Sequence, residues 1–497
     1  LTRGSLSFPV PKILVTVLFP CSNVGSFING KSNSHHSKLH DFIQVCLRLF
    51  PDHDADAFNP PRPLPQNHVD SIVGDLFKGY RRWDSIYFSF IAEWNYIYEQ
   101  SLAFFPLWPC ILSIVSRIFH PCFFAILQLD TIVLLVGIML NFVFGSMICL
   151  LLFRLGLNVL GSAKVSYFAA LLFCLNPALV FFSSLYSESL FLLCTLLALS
   201  CYEQRRLFRA SFFIALSVAC RSNGMLNIGY IGYLIWNERT ILDTKRSLLT
   251  LLKNTFTWWF YLAATLFPYI LLVLFCIFPL IAYQAYAFYL FCTESSFLTP
   301  LFPPHSLVEF GRQNQYRFPR WIYTNYSLPS GSLPPWCLSN LPFSYPNIQK
   351  SYWSVHLFGY YEFKQIPNFL LACPVVFLSL ACAAAFYSRA PNTYKTLGLK
   401  AETLRDRRLL PYVLHTLFLT IYGLTHINVQ VSHIPAIDPY LRCYCFVFKS
   451  NCIASQLLSF FSVYPWLWFH AVLSGLSLTN LDYFPTGVHH SPWQPIW

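Results

Sequence analysis

"RRWDSIYFSFIAEWNYIYEQSLAFFPLWP" (residues 81–109) sets two arginines, one aspartate and two glutamates at the edge of an apolar run. Charge beside a bilayer is costly unless it has a function or an aqueous boundary to sit in. The composition of the chain says that a bilayer is there. Of 497 residues, 56% are hydrophobic, 18% aromatic and only 11% charged. A water-soluble protein carries about 25% charged residues. The apolar residues come in long runs, and a backbone in lipid must satisfy its own hydrogen bonds, so helices are expected. The fold class read from the sequence is an all-α, multi-pass membrane protein.

Apolar runs lie at about 102–127, 130–153, 165–182, 186–202, 211–236, 257–291, 367–388 and 409–425, with a weaker one near 452–473. Eight to eleven spans are expected. The run at 257–291 fits one tilted span with a break or two short ones. The organisation that follows is an uncertain N-terminal span (1–50), a first extramembrane loop (51–101), a helix bundle (102–291), a long loop rich in Pro, Tyr and Trp (292–366), C-terminal spans (367–432) and a tail (433–497). The chain begins at Leu1, and Pro9, Pro11 and Pro20 break its first apolar stretch, so an incomplete N-terminus is expected.

Orientation comes from the short loops. "EQRRLFR" (203–209) and residues 389–408 are basic and should face the cytosol. Residues 292–366 should then face the other side. They hold Asn325-Tyr326-Ser327, a candidate N-glycosylation acceptor. One conflict remains. A single crossing at 211–236 would put Arg239, Lys245, Arg246 and Lys253 on the far side, unless "RSNG" (221–224) breaks the run.

The net charge of +12 is spread through these loops, so no nucleic-acid site is expected, although phosphate-bearing lipids are a second use for it. Seventeen cysteines sit mostly in apolar runs, as do Cys149, Cys174, Cys194, Cys276 and Cys382, where they read as small hydrophobes. No Cys-x-x-Cys pair occurs, and no metal or cofactor is expected.

On helical spacing, Trp83, Ile86, Tyr87, Phe90, Ile91 and Trp94 share one face. Ser85, Ser89 and Glu93 lie opposite, with Asp84 at the edge. The pattern predicts an amphipathic helix lying on the membrane surface. It would hold Asp84 and Glu93 at the lipid–water boundary, while Arg81, Arg82 and Glu99 read as solvated anchors. Glu188, in "SSLYSESLF", adjoins an apolar run and needs a partner or a role.

Taken together, "FPDHDADAFNPPR" (50–62), residues 82–109, "ALLFCLNPALVFFSSLYSESLF" (170–191), "ACRSNGMLNIGY" (219–230), "PPWC" (334–337) and "YYEFKQIPNFLLACPV" (360–375) resemble the PIG-V family, over about residues 50–431. The resemblance implies a GT-C type glycosyltransferase fold in the endoplasmic reticulum membrane with a lumenal active site. It implies transfer of the second mannose, α1,6-linked, from dolichyl-phosphate mannose to the glycosylphosphatidylinositol (GPI) precursor. The family's Trp-Asp pair matches Trp83 and Asp84. With these, Glu93 is a catalytic candidate. Tyr186, Glu188, Arg221, Asn223, Lys364 and Gln365 are candidates for the substrate pocket, with Arg221 and Lys364 for the donor phosphate. The partners implied are the two lipid substrates and the membrane, with room for a small membrane subunit as in yeast relatives.

After "THINVQVS" (425–432) the sequence departs from the pattern, and His433 stands where the resemblance leads one to expect Arg. Two other readings compete. A transporter or lipid scramblase should show paired halves with matching broken helices, and no such symmetry is visible. An inactive homologue serving as a partner subunit is favoured only by the tail.

Overall fold

The computed structural model describes residues 58–174, 179–245, 255–293, 302–329, 332–359 and 361–426. The first 57 residues and the tail with His433 lie outside them. The described elements are helices, in the order α1 (His68–Leu76), α2 (Asp84–Trp94), α3 (Leu107–Phe123), α4 (Leu129–Leu160), α5 (Ala163–Cys174), α6 (Leu179–Ser183), α7 (Glu188–Glu203), α8 (Leu207–Cys220), α9 (Ile228–Lys245), α10 (Thr255–Cys292), α11 (His305–Gln313), α12 (Arg320–Asn325), α13 (Ser344–Trp353), α14 (Ile366–Arg389), α15 (Pro391–Lys395) and α16 (Leu404–His426). No strand occurs among the described residues.

Two of these are long and apolar enough to cross a bilayer. They are α4, with 32 residues, and Phe267–Cys292 of α10, with 26. At 1.5 Å per residue α4 is about 48 Å long, more than the roughly 30 Å of a hydrocarbon core, so one end must project. The run at 257–291 forms one continuous helix despite Pro268 and Pro279. In the run at 165–182 the described helices are α5, to Cys174, and α6, over Leu179–Ser183.

The two ends of the bundle differ in chemistry. At one end the basic stretches meet. The Arg408 guanidinium and the Tyr412 hydroxyl both donate to Glu203, at 2.5 and 2.6 Å. Arg405 donates to the Leu160 carbonyl at 3.2 Å. Thus 203–209 and 389–408 share one side, as their charge predicted.

The conflict at 211–236 is resolved by a chain reversal. α8 ends at Cys220, a 3-10 turn covers Ser222–Asn227, and α9 runs back. Tyr233 of α9 donates to the Arg407 carbonyl at 2.6 Å, at the basic end. The run is two antiparallel helices, which returns Arg239 and Lys245 to that end. Gly224 permits the reversal: a Cβ there would sit 2.4 Å from the Ser217 and Val218 backbone.

The opposite end carries the loops. Cys292, the last residue of α10, is disulfide-bonded to Cys337 of "PPWC". This corrects the reading of the cysteines as packing residues alone, as does Cys382, which is disulfide-bonded too; a disulfide here suits an oxidising compartment on that side. The loop 292–366 contains α11, α12 and α13 rather than irregular chain. It is tied down at Glu99, which accepts from Trp336 Nε1 at 2.8 Å, Tyr352 Oη at 2.9 Å and Arg317 Nη1 at 3.0 Å.

Two expectations are overturned here. Glu99 is not a solvated anchor but 1% exposed, and Arg81 is 7% exposed, bonded to Asp130 at 2.6 Å. Nor does α2 lie on a surface. Ser85, Ser89 and Glu93, its supposed wet face, are buried together with Ile86, Phe90 and Ile91. Phe58 stacks on Tyr87, Tyr98 stacks on Phe90, and Phe104 packs on both Tyr87 and Phe88. Neighbouring loops cover both faces, which periodicity within one helix cannot reveal.

Asn325 is exposed at the end of α12. If this end is lumenal, Asn325→Gln should migrate faster on a gel than the parent chain, and glycosidase treatment should abolish the difference. Cys337→Ser should cost about 2–4 kcal/mol of stability, read as a lower thermal midpoint in detergent.

Candidate active site

Four chain segments converge at the loop-bearing end of the bundle. The first is the start of α2. Trp83 precedes it with φ 48° and ψ −124°. A bulky residue in this left-handed region is strained by roughly 1–3 kcal/mol and persists only where its surroundings impose it. The conformation leaves the indole 48% exposed beside half-buried Asp84. Asp84 is the first residue of α2, where the helix dipole favours an anion.

The second segment, 184–188, leads into α7 and is held by its own backbone. Asn141 of α4 donates to the carbonyls of Ser184 and Tyr186, the latter at 3.0 Å. Trp108 Nε1 donates to that of Leu185 at 2.9 Å. α4 comes close because position 137 is glycine; a Cβ there would lie 2.6 Å from Leu185 Cγ. The Tyr186 hydroxyl points to the Arg82 carbonyl, 3.5 Å away.

The third segment is the reversal after α8. Arg221 caps α8 in an extended conformation, and its Nη1 donates to Glu188 Oε1 at 2.5 Å and to Ser187 Oγ at 3.1 Å. Glu188 is 2% exposed, and its Oε2 has no hydrogen-bond partner among the described residues. The Arg221 side chain is 22% exposed, within electrostatic reach of Asp84 as well as Glu188. The fourth segment is α13, from which Tyr345 reaches Ser222, Oη to Oγ 2.8 Å.

The structure therefore brings Trp83, Asp84, Tyr186, Glu188 and Arg221 to one place. Asn223 is half-buried in the adjoining turn. Chemically, this is a half-buried carboxylate within electrostatic reach of a guanidinium that a second, buried carboxylate holds in place. Such a pair can take a proton and stabilise a leaving anion.

Glu93 is elsewhere. Glu93 is nine residues along α2 from Asp84, about 13 Å in rise. It is hydrogen-bonded to Asp130 instead, with Arg81 and Arg62 nearby. Burial, reinforced by the Asp130 carboxylate, pushes Glu93 well above the usual carboxylate range. It sits in a buried network of its own, beneath which Arg117 donates to its carbonyl at 3.1 Å. Lys364 and Gln365 lie in the 3-10 turn before α14, and Gln365 is buried. Ser187, Ser222 and Tyr345 escaped the sequence reading. Ser222 could have been found as the neighbour of Arg221 in "RSNG", but nothing local marks Tyr345.

The sequence pattern of the family described as Mannosyltransferase (PIG-V) matches residues 37–482. The chain belongs to this family. The PIG-V match spans Trp83, Asp84, Tyr186, Glu188, Arg221 and Tyr345, so the whole convergent site lies inside it, and it runs past His433. The chain is similar to the GPI alpha-1,6-mannosyltransferase 2 of Homo sapiens, 34% identical over 398 residues, covering 77% of this chain and 75% of the human one. It is similar to the GPI mannosyltransferase 2 of Drosophila melanogaster at 32% identity, covering 78% and 83%. A protein of Schizosaccharomyces pombe, also a GPI mannosyltransferase 2, is 26% identical over 73% of this chain. Mannosyl transfer is the family's activity, and the chain is a mannosyltransferase.

Removing one member of a buried ion pair strands the other and costs about 3–5 kcal/mol. Glu188→Ala should therefore lower the thermal midpoint and the yield more than Asp84→Asn, which leaves that pair intact. Glu93→Gln should retain turnover within about threefold, because an amide can still donate to Asp130. A loss of the size expected for a missing general base, about 10²-fold or more, would return Glu93 to the catalytic set.

Proposed function

We propose that this chain transfers the α1,6-linked second mannose from dolichyl-phosphate mannose to the GPI precursor, in a lumenal site of a multi-pass, GT-C type enzyme of the endoplasmic reticulum membrane. The observation that carries the reading is the Arg221–Glu188 pair held within electrostatic reach of Asp84 at the loop-bearing end of the bundle. The relatives' names give the reaction, and the site supplies groups that the reaction needs.

The donor is β-linked and the product α-linked, so one inverting displacement suffices. The acceptor 6-hydroxyl attacks the anomeric carbon as Asp84 takes its proton. The bond from that carbon to the phosphate oxygen breaks, and the electron pair leaves with dolichyl phosphate. Arg221 meets the growing negative charge. Nη1 is committed to Glu188 and Ser187, which fixes the plane of the guanidinium and leaves its other donors for phosphate oxygens. Preorganised charge aimed at a developing anion is the larger part of such catalysis. The exposed Trp83 indole offers a stacking face next to the base. Glu188 acts through Arg221.

The site needs no metal in this reading, since a fixed cation serves the leaving group. Microsomes supplied with dolichyl-phosphate mannose and a one-mannose precursor give the test. Asp84→Asn should lower turnover by about 10²–10⁴-fold at unchanged abundance. Turnover near that of the parent chain would sink the assignment. Excess EDTA should leave transfer intact, and activity lost to EDTA and restored by Mn²⁺ would overturn the metal-free reading.

A further inference from the structure

The sequence gives Tyr345 no distinction, and the reaction proposed above does not use it. Its surroundings set it apart. α13 is fixed at both ends on the loop-bearing side. At its start, the Ser344 amide and hydroxyl both donate to Gln284 Oε1 of α10, each at 2.9 Å. At its end, Tyr352 donates to Glu99, 2.9 Å away, beside Trp336 and the Cys292–Cys337 disulfide. Ile348, between them, is 1% exposed. The Phe105 ring packs edge-on to that of Tyr345, 5.3 Å between centroids. Tyr345 is thus a rigid post, while its hydroxyl meets a turn whose shape is set by few bonds.

That turn is the chain reversal. Gly224 presses on the α8 backbone, and Asn227 is held by Thr195 and Ser217, both at 3.0 Å. On its site-facing side, Ser222 is held by Tyr345 at 2.8 Å. Ser222 is the residue next to Arg221, so a shift of the turn moves the root of the guanidinium.

We propose that Tyr345 is a positioning residue of the transfer reaction: by bonding Ser222 it fixes the turn that presents Arg221 to the leaving phosphate, and so makes the long loop part of the active site. The inference rests on the reading of Arg221 given above. It explains why a loop anchored by a disulfide and a buried glutamate reaches back over the bundle.

The test is a double-mutant cycle on the full chain in microsomes, with rates expressed per molecule. Tyr345→Phe keeps the ring and removes the bond. Ser222→Ala removes it from the other side. Each should lower kcat about five- to tenfold, the effect of one net hydrogen bond, with the donor KM changed less than twofold. The double variant should lose no more than the worse single one, because both remove the same interaction. Ser222→Thr, which keeps a hydroxyl, should restore turnover. Turnover within twofold of the parent for Tyr345→Phe, or losses that multiply in the double variant, would overturn the proposal. Should Tyr345→Phe fail to accumulate, Ser222→Ala decides alone: normal turnover there refutes it. Arg221→Gln and Asp84→Asn run alongside. If both are active, the reading of the site is wrong. If both are inactive and the Tyr345 and Ser222 variants are normal, only the present inference fails.

Discussion

The ion pair between Glu188 and Arg221 is the interaction on which the arrangement turns. It joins the first residue of α7 to the C-cap of α8, at a place where an apolar run reverses inside the bundle. Taking a carboxylate to 2% exposure is expensive. Such a pair is a poor source of stability and a good means of fixing one geometry. The geometry here is that of a guanidinium held by Glu188 and Ser187 within electrostatic reach of half-buried Asp84.

Everything around the pair limits how the two helices can move. Asn141 and Trp108 grip the backbone just before Glu188. Gly137 and Gly224 let helix and turn approach where any side chain would intervene. Unpaired backbone groups in an apolar interior are costly, so a polar side chain placed against bare carbonyls serves two ends. It satisfies them, and it holds the segment that carries the site. Trp83 belongs to the same economy, with a strained backbone held by the packing of α2 on Phe58 and Phe104.

The molecule is polarised end to end. At one end, basic loops close on Glu203. At the other, a disulfide and the buried Glu99 draw the long loop over the site. Fixed positive charge gathers at the first end, as topology requires, and the Cys292–Cys337 disulfide braces the loop at the second. The site lies at the braced end, where rigidity matters to catalysis and where Tyr345 can act as a fixed support.

The sequence by itself determined the helical class, the segregation of charge into loops, the break at "RSNG" and the family. Each is a local or additive property: composition, run length, a turn signal, a set of motifs. It also singled out Trp83, Asp84, Glu188 and Arg221, which stand in stretches whose charge is unexpected beside apolar runs. Only the tertiary structure decided what those charges do. Arg81 and Glu99 read as solvated because their partners, Asp130 in one case and Arg317, Trp336 and Tyr352 in the other, lie 49 to 253 residues away. The helix α2 read as amphipathic because its second face is covered by residues distant in sequence. Glu93 and Asp84 looked equivalent on one helix, but nine residues of rise send them to different neighbours. Periodicity reports which side of a helix is apolar. It cannot report what is packed against the polar side, and that is what sends Asp84 and Glu93 to different surroundings.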